Sequence, residues 1–223
     1  MKIRLIDIVV VIIVLTVLVV GGIYIKKKTY NYNYKKRISE LTSDSVEVER
    51  KWLIDKDNIE YDLSNAKIYD IEQTYISFSP EIRIRRVNGN QYSFTVKNNM
   101  SADGLIRNET DFLITENDYN FLIQKKEANT IYKTRYKLLE DGQVIAIDIF
   151  KGDLEGLAYM EIEFANKDEA NEYIAPKWII QDVTDDIRYK NASLAQYGIP
   201  DENVKIDTND LVEITNNEEL LGL

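Results

Sequence analysis

The feature that most constrains this chain is a series of eight short runs in which apolar and polar residues alternate. They lie between residues 46 and 164 and read VEVERKWLI, YDIEQTYISF, EIRIRRV, QYSFTVKN, NETDFLI, IYKTRYKLL, VIAIDIF and AYMEIEF. Alternation with a period of two is typical of β-strands with one face on an apolar core. Asn88-Gly89-Asn90 and Asp141-Gly142 separate consecutive runs and indicate tight hairpins. Eight strands joined in this way predict a closed antiparallel β-barrel.

Two further stretches of this region favour helices, Glu116 to Lys126 and Lys167 to Tyr173. The predicted fold class is therefore α+β, dominated by an eight-stranded antiparallel β-barrel with flanking helices. The chain has only three Pro, which leaves the strands unbroken. The barrel domain is predicted to cover residues 44–200.

Charged residues recur at every second position of these runs, which places neighbouring charges on one face of each strand. They form blocks of one sign: Glu47 with Glu49, Arg83 with Arg85, Lys133 with Arg135, and Glu161 with Glu163. The simplest interpretation of one such strand is a solvated outer face, but a protein surface usually mixes both signs. Blocks on several strands favour a barrel with a polar interior. Carboxylates there could hold a divalent cation, and Arg and Lys could bind phosphate oxygens.

The residue types that the chain lacks exclude several kinds of site. It has no Cys and no His, which excludes zinc–thiolate sites, thiol nucleophiles and His-based triads. Any metal must be bound by oxygen atoms, which favours Mg²⁺, Mn²⁺ or Ca²⁺. Residues 1–37 carry eight Lys and Arg against one Asp, a net +7, so residues 38–223 carry −17 within the total of −10. A domain this acidic is a poor general partner for nucleic acid.

An uncharged apolar segment, Ile8 to Ile25, precedes the barrel region. As a helix it would extend roughly 27 Å, about the thickness of the hydrocarbon core of a bilayer. No small-residue cleavage site of the signal-peptide kind follows it, so a retained transmembrane helix is predicted. Lys and Arg are in excess after the segment, and the positive-inside rule then places the barrel domain on the cytoplasmic side of the cell membrane.

The predicted single-pass chain has five parts. They are a short extracytoplasmic tail (1–7), a transmembrane helix (8–25), a basic juxtamembrane linker (26–43), the barrel domain (44–200) and an acidic C-terminal tail (201–223).

In their order and context, the charged motifs resemble those of the CYTH family, the triphosphate tunnel metalloenzymes. Glu47-Val48-Glu49-Arg50-Lys51 matches a Glu-x-Glu-x-Lys motif, and Gln73-Thr74-Tyr75 is similar to a Gln-Gly-Tyr element. The further matches are Arg83-Ile84-Arg85, Lys97, Glu109 and Lys133-Thr134-Arg135-Tyr136. The segments IDIFKGDLEGLAYMEIEF and PKWIIQDVTDDIRYKNASLA resemble the closing half of the family. The resemblance covers about residues 45–197. Each motif is weak alone, and their common order makes the resemblance specific.

The resemblance implies a tunnel in which a triphosphate is hydrolysed with Mg²⁺ or Mn²⁺. The substrate would be inorganic tripolyphosphate, or a nucleoside or thiamine triphosphate. The implied metal ligands are Glu47, Glu49, Glu109, Asp148, Glu161 and Glu163. The implied phosphate-binding residues are Lys51, Arg83, Arg85, Lys97, Lys133 and Arg135. Lys51 and Tyr75 would help to activate the attacking water, although Tyr75 could equally be an ordinary strand aromatic.

Two departures from the family pattern bear on this expectation. Thr74 replaces the usual Gly, which we expect to alter the bend of its strand or to narrow the tunnel. The transmembrane anchor is not a usual part of the family. A class IV-type adenylate cyclase and a non-catalytic polyphosphate or nucleotide sensor at the membrane are the alternative functions. Arg188 and Lys190 are expected on a C-terminal helix, where they would either plug the tunnel or face solvent.

Overall fold

The computed structural model describes residues 5–41, 46–99 and 106–201. Within these ranges, the side chains of residues 5–14, 34–35, 37–41, 46–47, 98–99 and 106–109 are not described. Residues 1–4 of the predicted extracytoplasmic tail and residues 202–223 of the predicted acidic tail lie outside the described residues.

Among the described residues, nine antiparallel strands form one sheet, and eight of these strands close into a ring. Their order is β5-β4-β3-β2-β6-β7-β8-β1-β9, and β1 also pairs with β5. The strands are Val46–Leu53 (β1), Lys67–Phe78 (β2), Glu81–Val87 (β3), Gln91–Asn99 (β4), Ile106–Leu113 (β5), Ile131–Glu140 (β6), Gln143–Lys151 (β7), Ala158–Phe164 (β8) and Gln181–Asp182 (β9). The prediction of a closed barrel of eight strands is confirmed for β1 to β8. The prediction omitted β9, a two-residue strand added to β1, because two residues show no periodicity.

The two hairpin turns adopt the backbone conformations that their residues favour. Asn88 and Asp141 have φ of 49° and 47°, and the glycines that follow have φ of 73° and 80°. Positive φ at two successive residues matches the twist of the flanking strands, and Asn, Asp and Gly tolerate it best. These turns fix the registers of β3 with β4 and of β6 with β7, and hence which side chains face inward.

In the part of the chain that the structure describes, four α-helices accompany the barrel: Leu5–Leu41 (α1), Glu116–Leu122 (α2), Lys167–Glu172 (α3) and Asn191–Tyr197 (α4). The helix predicted to extend to Lys126 ends earlier, and a 3₁₀ turn over Ile123–Lys125 follows it. Thr115 begins α2 with a capping box that includes Asp118. Arg188 and Lys190 precede α4, in and directly after a 3₁₀ turn, and are not within the helix itself.

Helix α1 contains the whole apolar segment predicted to cross a membrane, and it continues through the predicted linker to Leu41. The side chains of residues 8–14 of that segment lie outside the described residues. Among the helices that the structure describes, none is both long and apolar enough to cross a membrane. Helix α1 meets the barrel where Tyr30 Oη accepts a hydrogen bond from the backbone N–H of Leu139, at 2.8 Å.

Two apolar cores lie on opposite faces of the barrel wall. The outer core surrounds the fully buried Trp52, Ile147 and Ile162, and the segment around Trp178 packs against it. The inner core brings Tyr75, Ile131, Phe150 and Tyr159 together with Ala192, Leu194 and Ala195 of α4. Because these strand residues face the inside of the ring, α4 closes one end of the barrel.

Candidate active site

The strand register places the charged blocks on the inner face of the barrel. Directly opposed residues of antiparallel strands project to the same face. Glu49 is opposite Glu163, and Lys51 is opposite Glu161, across β1 and β8. Trp52, which alternates with this set, is buried in the outer core. The charged face of these strands is therefore the one that the ring encloses.

The same inner face continues through the other strands. Arg135 on β6 is opposite Asp148 on β7. On β2 and β3, Tyr75 is opposite Arg83. Lys97 of β4 is opposite Glu109 of β5. All six predicted phosphate-binding residues consequently project to the inside: Lys51, Arg83, Arg85, Lys97, Lys133 and Arg135.

Two of the six predicted metal ligands can be placed only by their backbone. Glu47 is opposite Arg107, and Glu109 is opposite Lys97, so both positions belong to the inner face. Their side chains lie outside the described residues, and their contacts remain a prediction. The other four, Glu49, Asp148, Glu161 and Glu163, have described side chains on the same face.

Glu161 is the centre of an ion-pair network on the acidic side of the barrel. Its side chain is 6% exposed, Lys51 Nζ lies 3.1 Å from its Oε1, and Arg135 Nη2 donates to its other oxygen. Lys51 Nζ also lies 3.5 Å from Glu49 Oε1 and 5.1 Å from the ring centroid of Tyr159. Burial alone would raise the pKa of Glu161, but Lys51 and Arg135 outweigh it and hold that pKa well below its usual range. Glu161 is therefore ionised throughout the physiological pH range.

Asp148 is fully buried and is shared by two cations. Lys133 Nζ lies 2.5 Å from its Oδ2, and Arg135 Nε donates to its Oδ1 at 2.6 Å. Burial would raise the pKa of Asp148, but Arg135 and Lys133 lower it below its ordinary value. Burial lowers the pKa of the Lys133 ammonium to about 8, because the attraction of Asp148 only partly compensates for lost hydration. Arg135 thus joins the Asp148 pair to the Glu161 network.

The structure adds two inner-face residues that the sequence analysis did not select. Lys137 follows Arg135 by two residues on β6, and burial lowers its pKa. Asp111 follows Glu109 by two residues on β5 and accepts a hydrogen bond from Thr95 Oγ1. Continued alternation along each strand was the signal that could have identified both.

Lys51 and Tyr75 lie on opposite walls of the barrel. Their strands, β1 and β2, are four positions apart around the ring in either direction. The Lys51 side chain is 10% exposed. Tyr75 is 1% exposed, and its ring stacks on Phe78 with centroids 5.3 Å apart. The geometry therefore places the two predicted catalytic groups on either side of the enclosed space.

Thr74 does not line the tunnel, and the expectation that it would narrow the tunnel is wrong. Thr74 alternates with Gln73 and Tyr75, so its side chain faces outward, where it is fully buried. Its hydroxyl lies 2.8 Å from that of Thr130. A β-bulge between Tyr75 and Ser77 bends the strand just beyond it.

The donor set of the inner face matches a hard divalent cation in kind. Carboxylate oxygens are the ligands that Mg²⁺ and Mn²⁺ prefer, and the face offers Glu49 and Glu163 opposite each other beside Glu161. Among the residues with described side chains, no three acidic groups are close enough together to hold a metal ion. Lys51 and Arg135 bind the carboxylates instead, so a metal would have to take the place of those ion pairs.

Known proteins share this architecture. Residues 45–197 match the model of the CYTH domain family. An inorganic triphosphatase of Nitrosomonas europaea is 35% identical over 154 residues, which make up 67% of this chain and 97% of that protein. An inorganic triphosphatase of Acetivibrio thermocellus is 33% identical over 153 residues, 67% of this chain and 93% of its own. The crystal structure of the inorganic triphosphatase NE1496 superposes with a TM-score of 0.50 at 31% identity, covering 67% of this chain and 93% of that one.

Proposed function

The chain belongs to the CYTH family, and we propose that it is an inorganic triphosphatase that releases the terminal phosphate of tripolyphosphate inside its barrel. One observation carries this proposal: six cationic side chains and the acidic cluster around Glu161 share the inner face of a barrel closed at one end. The relatives named inorganic triphosphatases match almost their whole length to this barrel and its closing segment.

The cationic and the acidic residues of the inner face would have different functions. Arg83, Arg85 and Lys97 lie on β3 and β4, on one side of the ring, and would bind phosphate oxygens, with bidentate contacts from the guanidinium groups. Glu49, Glu161 and Glu163 lie on β1 and β8, on the other side, and would hold a divalent cation. When bound, Mg²⁺ or Mn²⁺ would neutralise charge on the triphosphate and increase the acidity of a coordinated water. Glu47, Glu109 and Asp148 would complete this acidic set.

Positioning and electrostatic stabilisation account for most of the catalysis of phosphoryl transfer, so the cations of the tunnel have the main task. Lys133 and Arg135 are already oriented by Asp148 and need little reorganisation to meet an anion. Lys51 is held between Glu49 and Glu161, and the Tyr75 hydroxyl lies on the opposite wall. We infer that the two groups would orient the attacking water and the phosphoryl oxygens from opposite sides of the enclosed space.

The direct test is phosphate release by the purified full chain in mild detergent. The substrates are tripolyphosphate, ATP and thiamine triphosphate, each with Mg²⁺, with Mn²⁺ and with EDTA. Metal-dependent release of orthophosphate, fastest from tripolyphosphate, is expected. Cyclic AMP and pyrophosphate from ATP would indicate a cyclase, and binding without turnover would indicate a sensor. Either result would overturn the proposal.

We further propose that residues 8–25 anchor this enzyme in the cell membrane, with the barrel on the cytoplasmic side. The support is the uncharged apolar sequence of Ile8 to Ile25 and the basic residues after it. The full chain should remain in membranes washed with alkaline carbonate, and Leu18→Asp should release it. In vesicles, protease should digest the barrel only when the cytoplasmic face is outside. Recovery of the unaltered chain in the carbonate wash would contradict the anchor.

A further inference from the structure

Lys137 is a cation of the inner face that does not belong to the six predicted phosphate-binding residues. It follows Lys133 and Arg135 along β6 at the same spacing of two residues. Its neighbours Tyr136 and Leu138 pack in the outer core. Because side chains alternate along a strand, Lys137 projects to the side that the ring encloses.

The surroundings of Lys137 hold an excess of positive charge. Lys67 lies directly opposite it on β2, and like charges in that position destabilise a sheet. Burial, together with Arg135 and Arg85, lowers the pKa of this lysine more than the attraction of nearby carboxylates raises it. Among the described side chains, none forms a hydrogen bond or an ion pair with Lys137. The folded chain therefore holds this ammonium at a cost to its stability, as is common at functional sites.

The position of Lys137 along β6 is away from the closed end of the barrel. Ile131, the first residue of β6, packs with Ala192 of α4 in the inner core. Lys137 is six residues further along, roughly 20 Å of strand. The predicted phosphate-binding residue Lys133 is close to the closed end. A triphosphate with one end toward Lys133 therefore has its other end toward Lys137.

We propose that Lys137 binds the outer end of the substrate, and that it makes the enzyme favour inorganic tripolyphosphate over a nucleoside triphosphate. Both substrates contain three linked phosphates. Tripolyphosphate has a terminal phosphate at each end, whereas one end of a nucleoside triphosphate is esterified to a sugar and carries less negative charge. An ammonium group attracts the more highly charged end more strongly. This inference rests on the proposed function.

Lys137→Met removes the charge at similar side-chain length, and the effects on two substrates measure the preference. With Mg²⁺, KM for tripolyphosphate should rise about 10–100-fold, as for the loss of one hydrogen bond between charged groups. KM for ATP should rise less than about fivefold, the effect of a solvent-screened charge. If ATP is not hydrolysed, its Ki against tripolyphosphate replaces its KM. Lys137→Arg, which keeps the charge, should retain most of the preference.

Thermal unfolding of the full chain without ligand separates binding from a structural role. Because the Lys137 ammonium is destabilised by folding, Lys137→Met should not lower the Tm. Lys133→Met should lower it, because Asp148 loses one of its two cations. Lys125→Met, at an exposed position in the 3₁₀ turn after α2, is the matched control and should change neither KM nor Tm. If Lys137→Met does not fold, Lys137→Gln has the same expected results.

Two results would overturn this inference and leave the proposed function standing. One is an unchanged KM for tripolyphosphate in the folded Lys137 variants, with or without a lower Tm. The other is an equal rise of KM for tripolyphosphate and for ATP, which would show that Lys137 does not discriminate between them. Absence of phosphate release by the unaltered chain would overturn the proposed function itself.

Discussion

At the scale of single residues, Glu161 is the carboxylate that connects the cations of β1 and β6 on the inner face. It is the group that both Lys51 and Arg135 contact. Removing its charge takes one carboxylate partner from each of two buried cations, which keep Glu49 and Asp148, and removes a predicted metal ligand. Both effects act at the place where charge develops during phosphoryl transfer.

Glu161→Gln should therefore lower kcat/KM for tripolyphosphate at least about 100-fold, the effect typical of one lost stabilising group. The measurement is orthophosphate release over a range of Mg²⁺ and Mn²⁺ concentrations. Glu155→Gln is the matched control, because Glu155 is an exposed glutamate in the turn before β8, and it should leave the rate unchanged. Near-normal turnover by Glu161→Gln would exclude Glu161 from the metal site.

Thr74 provides a test of which side chains face the tunnel. Because it faces outward and meets Thr130, Thr74→Gly should destabilise the barrel by about 1–2 kcal/mol through the lost hydrogen bond and the weaker strand propensity. Its KM for tripolyphosphate should stay within about twofold, since no tunnel residue moves. Thr74→Val, which keeps the branched shape, should lose only the hydrogen-bond share of that stability. A tenfold change of KM in Thr74→Gly would show that this position shapes the tunnel after all.

At the scale of secondary-structure elements, Arg50 ties three of them together on the outside of the barrel. Its Nη1 donates to the backbone oxygens of Ala170 and Tyr173, at 2.9 and 3.0 Å. Its Nη2 donates to Asp182 at 2.6 Å, and its guanidinium carbon lies 4.8 Å from the centre of the Trp52 ring. Strand β9 is thereby held on β1 although it has only two residues.

This arrangement makes a contribution to stability that depends on pH. Burial would raise the pKa of Asp182, but hydrogen bonds from Thr184 and Arg50 outweigh it and lower the pKa below its ordinary value of 3.8. The ionised form is therefore favoured by folding. The ionised carboxylate of Asp182 contributes fully to the stability of the folded state above its ordinary pKa of 3.8. This contribution is lost as the pH falls through the lowered pKa that Asp182 has in the folded state.

Asp182→Asn should accordingly lower the Tm by about 1–2 °C at pH 7, the size expected for a partly exposed ion pair. The difference from the unaltered chain should shrink as the pH falls through the lowered pKa of Asp182. Asp185→Asn, at an exposed neighbouring position, should change the Tm little at neutral or acidic pH. A Tm difference that did not change with pH in acid would mean that the charge of Asp182 does not stabilise β9.

The elements differ in how far the sequence could predict them. Strands β1 to β8 were predictable because each keeps a period of two, and the Asn-Gly and Asp-Gly turns fix two of their registers. The period of two and these turns together predict which face most of the charged residues occupy. Strand β9 and the closure by α4 were not predictable, because each depends on contacts with residues far away in sequence. The outward orientation of Thr74 was predictable in principle, since it alternates with Gln73 and Tyr75.

At the scale of the whole molecule, the distribution of charge restricts where a triphosphate can bind. The chain carries a net charge of −10, so its overall field repels a polyanion. In the barrel domain, cations that could bind one are gathered on the inner face, beside carboxylates that a divalent metal would neutralise. The metal and the triphosphate should therefore bind cooperatively, each reducing the electrostatic cost of the other.

This cooperativity predicts a thermal shift that needs both ligands. Mg²⁺ with tripolyphosphate at about 100 times its Kd should raise the Tm of the full chain by roughly 5–10 °C, because a ligand at that excess stabilises the folded state by about 2.7 kcal/mol. Each ligand alone should give much less than half of that shift, and EDTA should reverse it. Glu161→Gln, which lacks the carboxylate that joins Lys51 to Arg135, should abolish the dependence on Mg²⁺. Sodium sulfate at equal ionic strength is the control for general screening. An equal shift from sulfate, or a full shift from tripolyphosphate in EDTA, would contradict a metal site beside the phosphate-binding residues.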